Sequence, residues 1–191
     1  GLMTIQYRSE LHKLLPNLSK SWIAEIGVAE GHFSKDMLDW GIQRLYMVDI
    51  WKTYGKAGDN SFPQEWHDKN LQGVKEKTKS YLEQHKAIIL QGFSTDMAQY
   101  VPDHCLDMVC LDGGHDYASV MADLIVWREK VKIGGIIAGH DYNDMPDYGV
   151  KNAVTDYFYK LNKFKGEVNV IPDIDESHQG FWFVNELVEE E

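Results

Sequence analysis

Cysteine is nearly missing from this sequence, with two in 191 residues. That excludes a disulfide framework and a thiolate zinc site. Cys105 and Cys110 fall on one expected strand, five residues apart, so they face opposite sides and do not pair with each other. Long hydrophobic runs are missing as well. None approaches the ~20 residues of a membrane span, and no basic-then-apolar signal segment opens the chain. Positive charge is scarce. Lys and Arg number 19 against 30 Asp and Glu, a net charge of −11. Such a surface repels phosphate backbones, and no Lys/Arg block relieves it, so nucleic acid is not an expected partner. Internal repeats and low-complexity segments are absent too. The reading is a reduced, cytoplasmic protein that binds no membrane. A homo-oligomer through the N-terminal helix stays open. Gly1 reads as a tag remnant and is given no function.

What is present is apolar and aromatic. Hydrophobic residues make up 43%, with six Trp, ten Tyr and seven Phe, enough for one sizeable core. The length suits a single α/β domain over 1–191. A helix is expected over 4–15 within an N-terminal segment 1–19, closed by Pro16. Short apolar runs at 21–27, 44–49, 87–91, 106–112 and 134–139 read as buried strands. Helical spacing marks 31–40, 64–85, 117–131 and 149–161. The helix over 117–131 is expected to bury Tyr117, Val120, Met121, Leu124, Ile125, Arg128 and Val131. Two closing strands follow, over 168–171 and 180–184. Alternating strands and helices predict a doubly wound, mostly parallel, seven-stranded sheet. The short loop between the closing strands makes the last one antiparallel.

The candidate site residues all fall at strand ends. Glu25-Ile-Gly-Val-Ala-Glu-Gly-His-Phe-Ser34 is a strand end, a turn and a helix start. Gly27 and Gly31 let the backbone approach a ligand closely. Their spacing is not the G-x-G-x-x-G of dinucleotide binding, which argues against a dehydrogenase. Asp49 ends the next strand, where a carboxylate accepts from ribose hydroxyls. Together these point to an adenosine ligand. Gly92, Phe93 and Ser94 would line the adenine pocket, although Ser94 and Asp96 also suit helix caps. Two clusters, Asp112-Gly-Gly-His-Asp-Tyr117 and His140-Asp-Tyr142, end neighbouring strands. They set Asp112, His115, His140 and Asp141 over one crevice. That set suits a divalent metal such as Mg²⁺, or a histidine base. His12, His85, His104 and His178 read as surface residues, His32 as near the cofactor and His67 as near the lid. That lid is the aromatic loop 50–66, with Trp51, Tyr54, Phe62 and Trp66.

The run Leu111-Asp-Gly-Gly-His-Asp-Tyr-Ala-Ser-Val-Met-Ala-Asp-Leu124, with Gly134–Tyr142 and Gly149–Val154, resembles class I methyltransferases of the family-24 type. Glu25–Ser34 and Val48-Asp49 match that family's two cofactor motifs. The resemblance implies a Rossmann-like fold and S-adenosylmethionine (SAM) as cofactor. It implies Glu25, Gly27, Glu30 and Gly31 around the methionine end, and Asp49 with Ile50 on the ribose. Gly92, Phe93 and Ser94 would lie near adenine, with Asp112 and Gly113 beside the methionine. It also implies His115, His140 and Asp141 as catalytic candidates. Metal-using relatives suggest a divalent ion on Asp112, Asp141 and His140. Two departures stand out: Gly114 replaces a frequent Asp, and His140 replaces an acid. The expected reaction is methyl transfer to a small-molecule acceptor, at oxygen. The alternatives are a metal-dependent hydrolase on Asp112, His115, His140 and Asp141, and a non-catalytic SAM-binding module.

Overall fold

The computed structural model describes residues 3–55 and 58–189. Gly1, Leu2, the last two residues and positions 56 and 57 of the expected lid lie outside that range. Seven strands form one sheet: β1 (Trp22–Ile26), β2 (Arg44–Asp49), β3 (Ala87–Gln91), β4 (Leu106–Leu111), β5 (Val131–Gly139), β6 (Asn169–Ile171) and β7 (Gly180–Val184). Their order is β3-β2-β1-β4-β5-β7-β6. Neighbours from β3 to β5 run parallel, and β7 is antiparallel to both β5 and β6. The doubly wound sheet with a reversed last strand is as the sequence implies.

The helices are α1 (His32–Asp39), α2 (Gln64–Lys77), α3 (Lys79–Glu83), α4 (Ser94–Met97), α5 (Tyr117–Arg128) and α6 (Val150–Thr155). Strand residues alternate between two cores because their period is two. Ile23, Met47, Met108 and Ala138 pack with the N-terminal segment, α1 and Val74 of α2. Ala24, Val48, Val109 and Ile137 pack with α5 and α6. Cys105 and Cys110 are free and fall on opposite cores.

Several elements differ from expectation, among them the helix expected over 149–161, which is α-helical only to Thr155 and a π-helix from Asp156 to Leu161. The N-terminal helix is a 3₁₀ turn, Arg8–Leu14. The helix expected over 64–85 breaks at Thr78, whose hydroxyl donates to Val74 O at 2.8 Å and whose backbone leaves the helical region. α5 turns a different face inward. It buries Val120, Asp123, Leu124 and Trp127, and exposes Tyr117 and Ile125 at 42% and 53%. Trp127 offers more apolar area than Ile125, and Asp123 finds a buried partner, so the rotation gains burial without leaving a charge bare. Val131 begins β5 instead of ending the helix. Trp51 is 1% exposed and belongs to the core, so it is not a lid residue.

Candidate active site

The carboxyl ends of β2, β1, β4 and β5 form one edge, and the order of strands reverses beside β1. Sheets of this kind bind ligands there. Backbone bonds continue past the strand ends and hold four motifs level. Gly27 donates to Val48 O (2.8 Å), Gly92 to Asp49 O (2.9 Å), Asp112 to Ile26 O (2.7 Å) and His140 to Leu111 O (3.2 Å).

Gly27 has φ +92°, and a Cβ there would meet Asp112 O at 1.9 Å. Only glycine lets the turn after β1 rest on the end of β4. Gly31, at φ +82°, starts α1 against Val74, whose side chain would lie 2.9 Å from a Cβ. Asp49 braces the same turn: Oδ2 accepts from the amides of Val28 and Ala29 and Oδ1 from that of Trp51, each at 2.9 Å. Oδ1 keeps a lone pair for one more donor. The Trp51 indole donates to Ala29 O at 3.0 Å. Ala29, Trp51 and Asp141, all around this edge, hold positive φ of 50°, 45° and 56°. Non-glycine residues hold such values at a cost, and they cluster at functional sites.

These groups line a cleft of about 780 Å³, within the ~300–1,000 Å³ of small-molecule pockets. It brings together Glu25, Gly27, Glu30, Gly31, Asp49, Ile50, Gly92, Phe93, Ser94, Asp112, Gly113, His115 and Asp141. Of the expected site residues, only His140 lies off it. His140 lines a small pocket behind Asp112 and Asp141. Tyr54, Trp66 and His67 also border the cleft, and Tyr54 meets Phe93 edge-on at 5.4 Å.

Burial governs the electrostatics. Glu25 is 3% exposed and accepts from the Ser34 hydroxyl. Desolvation, with Asp112 nearby, raises its pKa to about 8 against the Ser34 bond. Asp112 is raised to about 6, first by desolvation and then by Asp141, against the pull of His140 and Arg8. Its side chain is still 34% exposed, so solvent screens part of that effect. His140 Nδ1 stands 3.1 Å from Asp141 Oδ1 and 3.8 Å from Asp112 Oδ1. Burial works against its charge, but the Asp141 bond and both carboxylates outweigh it and raise its pKa. His115 is exposed in the cleft, its ring 4.7 Å from that of Tyr148.

Two contributors, Asp123 and Arg8, are not foreseen from the sequence. Asp123 is 5% exposed, accepts from Ser94 Oγ at 2.5 Å and is raised to about 6 by burial. His178 is an exposed surface residue, as expected; it pairs with Asp175 at 2.7 Å and lies 6.2 Å from the His140 ring. Arg8 reaches the cleft from the N-terminal turn. Asp123 carried a signal, being an acid between buried positions of α5.

The ligand atoms of Asp112, His140 and Asp141 lie within 4.8 Å of one another. The His140 nitrogen is at hydrogen-bonding distance from Asp141, and that bond with both carboxylates raises its pKa against burial. A divalent ion on this set would have to displace the His140–Asp141 contact and take the imidazole neutral.

The chain resembles known proteins in fold. It matches an rRNA methylase from Streptococcus thermophilus at TM-score 0.64 and 14% identity, covering 93% of this chain and 92% of that one. It matches the O-methyltransferase NovP at 0.59 and 19%, covering 94% and 76%. A Streptococcus mutans protein described as a methyltransferase, in complex with S-adenosylhomocysteine (SAH), matches at 0.66 and 16%, covering 94% and 98%. No curated protein matches the sequence. The profile of the family-24 methyltransferase domain matches residues 24–142, more than half of the chain. With that match over the turn, Asp49 and both acid–histidine clusters, the chain belongs to the family of SAM-dependent methyltransferase domains.

Proposed function

We propose that this chain, as one domain over 1–191, methylates a small-molecule acceptor at oxygen and that His115 takes the acceptor's proton. The observation that carries this is the position of His115 and Asp141 in the same cleft as the Gly27 turn and Asp49. Asp49 Oδ1 receives a ribose hydroxyl, and Ile50 and Phe93 flank the adenine beside Gly92 and Ser94. The turn from Glu25 to Gly31, with Asp112 and Gly113, holds the amino-acid end. SAM supplies a methyl group made electrophilic by its positive sulfur. The protein's task is to hold donor and acceptor in line, and placement of that kind supplies a large part of the rate. Tyr54, Phe62 and Trp66 are the lid over the acceptor; Trp51 anchors it from below.

His140 acts through Asp112 and Asp141 as a positioning residue. It is held between both carboxylates and lines the small pocket beside them, not the cleft. No step is assigned to a metal. The acidic side chains of the cleft suit a cationic cofactor and repel a phosphate backbone, which favours a small acceptor over RNA.

Calorimetric titration with SAH, with and without Mg²⁺, tests the cofactor site. Micromolar binding, equal in both conditions and at least about tenfold weaker in Asp49→Ala, is expected. An acceptor screen then tests the base. His115→Ala should lower kcat by about 100-fold with SAH affinity unchanged. Unchanged turnover would remove His115 from the mechanism.

A further inference from the structure

Arg8 occupies the inward column of the N-terminal 3₁₀ turn. A three-residue period stacks Arg8, Leu11 and Leu14 on one side. Leu11 is buried and Leu14 packs on the same core, while Ile5, one period earlier, is buried as well. The segment is tied down where Asp173 donates to Gln6 O at 2.8 Å. The Arg8 side chain itself is 39% exposed. Its guanidinium stacks on Phe33, 4.4 Å from the ring centre, and lines the cleft. Asp112 Oδ2 is 3.6 Å away, beyond hydrogen-bonding distance, and no acceptor among the described residues takes its N–H groups. Phe33 sets it beside the start of α1, where the amides of His32, Phe33 and Ser34 have no acceptor among the described residues. Arg8 is the sole Lys or Arg among the described residues of the cleft wall.

We infer that Arg8 binds the carboxylate of the cofactor's amino-acid end while Asp112 receives its ammonium group. The inference rests on the cleft being the SAM site. Arg8 and Asp112 present a positive and a negative group side by side, and an α-amino acid presents the complementary pair. The open amides of α1 complete the anion's shell. An acid group on the acceptor is the other source of a carboxylate, and the test separates the two.

The full chain and Arg8→Gln are titrated with SAH and with its carboxamide, which lacks the negative charge and has a donor NH2 in place of one acceptor oxygen. The unaltered chain should prefer the acid by about tenfold, the scale of one charge-assisted hydrogen bond. Arg8→Gln should lose that preference, with carboxamide binding within about twofold of the unaltered chain. Thermal unfolding of the free variant checks that it folds. A preference kept in Arg8→Gln, or none in the unaltered chain, would overturn the assignment and leave the carboxylate site to the acceptor. Failure of the unaltered chain to bind either nucleoside would overturn the cofactor reading itself.

Discussion

Glu25 lies under the Gly27 turn with a carboxyl that is protonated at neutral pH. Its ordinary value of 4.5 rises to about 8 in the folded protein. Between these values the folded state keeps a proton that the unfolded chain has released. The stability it contributes is therefore complete below about 4.5 and declines as pH rises towards 8. Glu25→Gln should raise the unfolding midpoint of the free protein by roughly 3 °C near pH 8.5 and leave it unchanged near pH 4.5. A midpoint unaffected at the higher pH would mean that the carboxyl is not strained by burial. Glu25, Gly27, Asp49 and Asp112 were legible in the sequence because a strand end is recognisable and a parallel sheet sends all its strand ends to one side. Arg8 and Asp123 were not, because each reaches the site from an element whose approach depends on tertiary packing.

The element that most constrains the site is the turn between β1 and α1. It rests on β4 through Gly27, on Asp49 through two amides, and on Trp51 through Ala29 O. Gly27→Ala places a methyl against Asp112 O in a left-handed backbone, and should cost more than about 2 kcal/mol by urea unfolding. Trp51→Phe keeps most of the buried area but removes the bond to Ala29 O. It should weaken SAH binding by about three- to tenfold with a smaller loss of stability, read by calorimetry and urea titration together. The sequence placed β2, β3 and β7 at the residues where they occur, since bounded apolar runs of that length have little alternative. It misplaced the inward face of α5, because Trp127 and Asp123 only reveal their preference against the neighbours they meet.

At the scale of the molecule, folding and cofactor binding are linked. The cleft is assembled from strand ends spread along the chain and exists only in the folded state. SAH at a hundredfold its Kd should therefore add about 2.7 kcal/mol, an upward shift of roughly 5–10 °C in the unfolding midpoint. No shift at that ratio would mean that the cleft is not the binding site. The N-terminal segment belongs to the same cooperative unit, with Ile5 and Leu11 buried in the core below α1. No described helix is long and apolar enough to cross a membrane.

The sequence by itself determined the class of fold, the family and the positions of the strand-end motifs. Those depend on local periodicity and on glycine and acid spacing, which neighbours along the chain decide. Only the tertiary structure decided which charges meet. It paired His140 with Asp141 and Asp112, set His115 in the open cleft, buried Trp51 and brought Arg8 beside Asp112. Each of these depends on desolvation and on distances between residues remote in the chain, and neither is written in local pattern.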